Sequence, residues 1–256
     1  NYVGSTGQSS QTECAIGTYQ PNTSQPLCLD ADTGYYVDTT AQTEQIACSP
    51  GFYQDVNGAH FCYYAFAGNY VDSAASSTQT ACVAGTYQPD TGQTSCDDAD
   101  AGYYVGSTGQ SSQTECAAGT YQASTGQSSC TDASAGYYVD STAQTTQTAC
   151  DYGTYQPNTG QTSCDVADVG YFVDIAGSDS QLACEAGTYQ ASTGQSSCTD
   201  ASAGYYVPTT GQTSQTECAE GTYQSLTGQT SCNSADAGYY IDSTGSSGQT
   251  PCALGT

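Results

Sequence analysis

"CAAGTYQASTGQSSCTD" occupies residues 116–132, and "ASAGYYVDSTAQTTQTA" follows at 133–149. Laid one over the other, the two 17-residue stretches agree at Gly119 and Gly136, Tyr121 and Tyr138, Thr125 and Thr142, and Gln127 and Gln144. They differ at two places that decide the fold. Cys116 stands over Ala133, and Cys130 stands over Gln147. The second stretch is the first with both cysteines removed.

The same exchange runs along the whole chain. Cysteines fall at 14, 28, 48, 62, 82, 96, 116, 130, 150, 164, 184, 198, 218, 232 and 252, with gaps that alternate between 14 and 20. The period is therefore 34, made of two 17-residue repeats, and such a period outranks any residue-level motif. In alternate repeats Ala31, Ala65, Ala99, Ala133, Ala167, Ala201 and Ala235 fill the first cysteine place. Gln11, Gln45, Gln79, Gln113, Gln147, Gln181, Gln215 and Gln249 fill the second. Two cysteines lost together are partners; bridges between repeats would leave orphans. The predicted pairs are Cys14–Cys28, Cys48–Cys62, Cys82–Cys96, Cys116–Cys130, Cys150–Cys164, Cys184–Cys198 and Cys218–Cys232. Cys252 is left over. Either its partner would lie beyond Thr256, or it is a free or intermolecular thiol. Both ends cut a repeat, so residues 1–256 are expected to be one continuous tandem array, a fragment of a longer chain.

Composition sets the compartment. The chain has 25 acids, no lysine or arginine, one histidine, 15 cysteines and 23 tyrosines, for a net charge of −25. So many cysteines without histidine partners indicate disulfides and an oxidising compartment, hence an extracellular or cell-surface protein. No run approaches the roughly 18 apolar residues of a membrane helix. A chain without cations forms no internal Lys or Arg ion pair and has no charge attraction for nucleic acid or anionic lipid. Cations, basic partners or a glycan coat suit it better.

Each repeat reads as a small β-hairpin. A short strand, "GTYQ" or "GYYV", leads through "STGQ" or "NTGQ" into a polar second strand. The turn glycine suits a positive φ. A second glycine, Gly17, Gly34, Gly51 and onward, marks a backbone bend or a close approach. The sixth position is Tyr except for Phe172, so its ring is expected to be core. Positions five and seven, Thr120 and Gln122 in a cystine repeat, become Tyr137 and Val139 where the cysteines are gone. Closing a 15-residue loop contributes about 3 kcal/mol. Burying a Val-sized side chain contributes roughly 1.5–3 kcal/mol. Added Tyr and Val contacts, on the neighbouring repeat or on another chain, are thus expected to offset the missing bridge. The predicted fold class is small disulfide-rich all-β repeats, an elongated rod of tandem 17-residue hairpin units in 34-residue pairs. Hairpins stacked as successive strands, about 4.8 Å apart, would extend it on the order of 150 Å.

The cystine repeat, C-x-x-G-T-Y-x-x-x-T-G-Q-x-S-C-x-x, resembles the ephrin-receptor-like cysteine-rich repeats and the related modules of tumour-necrosis-factor receptors. The resemblance covers essentially the whole chain. It implies an extracellular rod of tiny modules with cystines inside each, as in receptor stalks and large surface proteins. The chain departs from that pattern by replacing every second cysteine pair with Ala and Gln.

Candidate chemistry is sparse. His60, in "NGAHFC", is the one histidine; no "GxSxG" occurs, and no Lys or Arg is present to clamp an anion. No enzyme is expected and no catalytic residue is assigned. Asp30 and Asp32 in "DADTG", and Asp98 and Asp100 in "DADAG", share the D-x-D opening of a calcium loop. Ser134 and Ser202 replace the second Asp elsewhere, and no bidentate Glu follows, so a solvated acidic face competes with calcium there. "NTS" at Asn22 is an N-glycan acceptor. The tenth position supplies Thr6, Thr23, Thr40, Thr91, Thr108, Thr125, Thr142, Thr159, Thr193, Thr210, Thr227 and Thr244 as O-glycan acceptors at hairpin tips, or as residues that simply suit a turn. Residues 48–68 break the pattern with Phe52, Phe61, Tyr63, Tyr64 and Phe66, either by drift or as a lateral contact patch.

The expected function is structural: an extracellular, self-assembling fibre, stalk or surface appendage, a homo-oligomer or filament, glycosylated and without a cofactor. The alternative is an adhesin or receptor stalk that presents a ligand-binding head outside these residues.

Overall fold

A computed structural model describes residues 11–23 and 25–253. Those residues form fourteen separate two-stranded antiparallel sheets and no helix. The predicted disulfide-rich all-β hairpin repeat is what the chain adopts. Each strand is two residues long, as at Thr18–Tyr19 and Leu29–Asp30. Register is identical along the chain: position five pairs with seventeen and six with sixteen, as Thr154 with Val166 and Tyr155 with Asp165. β-branched and aromatic residues at positions five and six favour this extended pairing.

A turn starts every hairpin. In one cystine repeat the Phe52 N–H donates to the Ser49 carbonyl at 3.0 Å, and Gly51 between them has φ +86°. Positive φ at the third turn residue is the pattern of a type II turn. The same glycine also makes the close approach foreseen as its alternative role. A Cβ built on Gly136 would lie 2.0 Å from the carbonyl oxygen of Gly177, two repeats onward. No side chain fits there.

All seven disulfides join cysteines 14 residues apart inside one repeat. Their pairing is the one read from the joint loss. Cys252 is exposed and unpaired among the described residues.

The chain divides into two compact units. One runs to Cys116 and includes Gln122–Cys130; the other takes Ala117–Tyr121 and the residues from Thr131 on. Both are built by the same backbone bonds. In the first unit the Gly51 N–H donates to the Val71 carbonyl at 2.7 Å, Gln54 to Ser76 at 3.1 Å, and Ala75 back to Cys48 at 2.9 Å. In the second, Gly153 donates to Val173 at 2.9 Å, Gln156 to Ser178 at 3.1 Å, and Gly177 back to Cys150 at 2.8 Å. Hairpins are therefore joined by bonds outside their strand pairs. The expected stacking as successive strands of one sheet does not occur. Two-residue strands expose too few edge groups for it, and the turn and loop amides make the junction instead.

The core is one side chain deep. From Cys14 to Cys218 position one is fully buried, whether it is Cys150 or Ala167. Position seven is buried whether it is Gln54 or Val37. The sixth-position rings, expected as core, are half-buried along most of the chain, and Tyr240 is exposed. A hairpin this thin has no interior wide enough to enclose a ring, so one face of each Tyr stays in water.

Candidate functional site

The cysteine-free repeats are closed by glutamine. In the repeat that starts at Ala99, the Asp100 N–H donates to Gln113 Oε1 at 2.6 Å, and Gln113 Nε2 donates to Asp100 Oδ2 at 2.6 Å. The bonds tie position fifteen to position two, beside the place where a cystine ties fifteen to one. Gln45, Gln79, Gln147, Gln181, Gln215 and Gln249 each accept from the corresponding amide at 2.6–2.8 Å. Where position two is Asp, as at Asp32, Asp168 and Asp236, its carboxylate accepts the second bond.

Loop interiors differ between the two kinds of repeat. In the cystine repeats a buried glutamine spans the loop. Gln54 Nε2 donates to the Phe61 carbonyl at 2.7 Å, and the Val56 N–H donates to Gln54 Oε1 at 3.1 Å. In the others Val37, Val71, Val105, Val139, Val173 and Val207 fill the same place at 0–3% exposure. That burial lies within the chain itself, so these valines are not available to a second molecule.

The four candidate calcium ligands are exposed. Asp32 and Asp100 hold their glutamines, whereas Asp30 and Asp98 lie against Gly58 and Gly126 of later hairpins. Within each pair the two carboxylates thus meet different neighbours. Among the described residues no group of three or more His, Cys, Asp or Glu side chains could hold a metal ion. Tyr87 and Tyr155 have pKa values raised first by burial, and then by Asp100 and Asp97, and by Asp168 and Asp165. Tyr205 is raised chiefly by its hydrogen bond to Glu217, 3.2 Å long.

Tip threonines lie at the surface. Thr23, Thr40, Thr91, Thr108, Thr125, Thr142, Thr159, Thr193, Thr210, Thr227 and Thr244 are all exposed, as is Asn22. Thr244 Oγ1 donates to Glu217 Oε2 at 3.1 Å. Thr6, and Ser24 of the Asn22 triplet, lie outside the described residues. After Thr40 and each later threonine of the set comes a residue with positive φ: Gly160 at +71°, and without glycine's freedom Ala143 at +57°.

The pattern break at 48–68 becomes an aromatic cluster. Phe52 and Tyr64 face each other across the strand pair with ring centroids 4.5 Å apart, and Tyr53 and Tyr63 do so at 5.9 Å. Phe66 meets Tyr53 edge-on at 6.3 Å, and Phe61 meets Tyr63 edge-on at 4.9 Å. His60 packs on Phe61 at 4.9 Å. Phe61, Tyr63, Tyr64 and Phe66 are 43, 41, 59 and 54% exposed. Beside them lies a cleft of about 260 Å³ lined by Tyr36, Ser49, Phe52, His60, Phe61 and Cys62. The sequence pointed to the aromatics but not to Tyr36, which belongs to the preceding repeat and looks like every other sixth-position ring.

No family model matches the chain, and no curated protein matches it. Disulfides in this number are typical of extracellular proteins. No helix among the described residues is long and apolar enough to cross a membrane.

Proposed function

We propose that this chain is a structural repeat protein that builds an extracellular fibre, stalk or surface appendage. The observation that carries the reading is the repeated junction. The same three backbone bonds recur at the same positions in both compact units, as at Gly51, Gln54 and Ala75 and at Gly153, Gln156 and Gly177. Each of these bonds joins adjacent repeats, so stability accumulates repeat by repeat, as in a tandem array. The cystines suit an oxidising exterior, and the exposed threonine tips offer a regular row of sites for O-linked sugar.

Imaging of native material by electron microscopy tests this. Fibres or stalks of regular calibre are the expected result. Dispersed monomers at every ionic strength would overturn it. The charge of −25 makes association rise with salt, because charges are screened beyond about 8 Å at physiological ionic strength. Intact mass tests the sugar: a value equal to the bare 26.2 kDa would remove glycosylation from the proposal.

A further inference from the structure

We propose that the aromatic hairpin at residues 48–66 docks a basic polypeptide segment of another protein, its cleft receiving an arginine or lysine side chain. This surface differs from every other hairpin face in the chain. Phe52 stands where other cystine repeats carry Thr, whose hydroxyl bonds the turn carbonyl, as Thr154 bonds Asp151 at 2.7 Å. Tyr63 and Tyr64 replace the polar pair found at Thr131 and Asp132. The result is a run of exposed ring faces beside a cavity. At about 260 Å³ the cleft falls below the roughly 300–1,000 Å³ of small-molecule pockets, and it is sized for a side chain.

Charge selects the occupant. The chain carries −25 and has no lysine or arginine, so none of its own Lys or Arg can stack on these rings. A second copy brings no Lys or Arg to these rings. At low ionic strength a basic segment is drawn in by the whole field. Once there, a guanidinium or ammonium group over an aromatic face gains a further cation–π attraction. Asp55 stands near Tyr53, where together with burial it raises the phenol's pKa, and so supplies a carboxylate at the margin of the cluster.

The test uses an oligoarginine peptide, its uncharged citrulline counterpart and a neutral cello-oligosaccharide as probes. Amide shifts of the whole chain are followed by NMR at about 0.15 M salt, where distant charges are screened. The expected result is saturable movement of His60, Phe61 and their neighbours with oligoarginine alone. The Phe61→Ala/Phe66→Ala double variant should weaken binding by roughly tenfold. Shifts spread evenly over acidic residues, an unchanged affinity in the aromatic variant, or a stronger response to the oligosaccharide would each overturn the proposal. So would a variant that altered only self-association. The wild-type shift map decides the matter even if the double variant fails to fold.

Discussion

Gln113 holds Asp100 at both ends of its amide, accepting from the backbone N–H and donating to the carboxylate, each at 2.6 Å. The pair closes the same loop that Cys82 and Cys96 close covalently one repeat earlier. A net hydrogen bond contributes about 0.5–1.5 kcal/mol and one to a charged group about 1.5–3 kcal/mol. Burial of Val105 adds roughly 1.5–3 kcal/mol, so valine and glutamine together reach at least the ~3 kcal/mol of a 15-residue disulfide loop. The glutamine that replaced the cysteine therefore adds its bonds to the compensation expected from Val.

Restoring the bridge should add to this. The Ala133→Cys/Gln147→Cys variant places a cystine where the neighbouring repeats hold theirs with Cα atoms 5.7 Å apart. An increase of about 2–4 kcal/mol in unfolding free energy is expected. Denaturant midpoints measure it, and a non-reduced digest confirms the bond. Gln147→Ala alone should cost about 1 kcal/mol, because its amide partner Ser134 is exposed and water takes over.

Val139 is 2% exposed and sits at a hairpin junction, its carbonyl accepting from Gly119 and its N–H donating to Gln161. Val139→Thr should destabilise by about 1–3 kcal/mol through a buried hydroxyl. Unchanged thermal and chemical stability would show that the valine layer contributes nothing.

Two substitutions at positive φ should act in opposite directions. At Gly136, φ is +83° and a Cβ would meet a carbonyl oxygen at 2.0 Å, so Gly136→Ala should cost about 4 kcal/mol or more. At Ala143, φ is +57°. The left-handed penalty for an L-residue is roughly 1–2 kcal/mol. Glycine's extra chain entropy offsets about 0.5–1 of that. Ala143→Gly should therefore gain about 0.5–1 kcal/mol in a denaturant titration.

Tyrosine ionisation should limit stability in alkali. Tyr205 is held protonated by its bond to Glu217, and burial with nearby Asp side chains raises Tyr87 and Tyr155. A raised folded-state pKa gives stability that is complete below the unfolded value near 10 and is lost as pH rises through the folded one. Selective Tyr labelling followed by NMR titration should place Tyr205 above 10, and Glu217→Gln should bring it down.

Much of this was legible in the residues. Paired loss of Cys116 and Cys130 against Ala133 and Gln147 identified the disulfides, and the recurring glycines identified the turns. The role of Gln147 was not, because a polar residue in a cysteine slot reads as filler until its amide is placed beside Ser134. Its recurrence in every cysteine-free repeat, from Gln11 to Gln249, was the available signal. The contact from Gly136 to Gly177 was hidden for another reason. It skips a repeat, and sequence periodicity reports neighbours without saying how far each one reaches. The sixth-position tyrosines misled because a constant aromatic suggests a deep interior, which a hairpin this thin does not have.

The alternation of cystine with glutamine has a mechanical meaning. Tension applied along the chain passes through each sulfur bridge and bypasses the loop it closes, so that length stays locked. Between Cys130 and Cys150 the closure is only hydrogen-bonded, and those 20 residues can pay out to about 70 Å when pulled taut. Every 34-residue period thus couples an inextensible link to a releasable one, and a chain held at both ends would lengthen by yielding at alternate repeats while no covalent bond breaks.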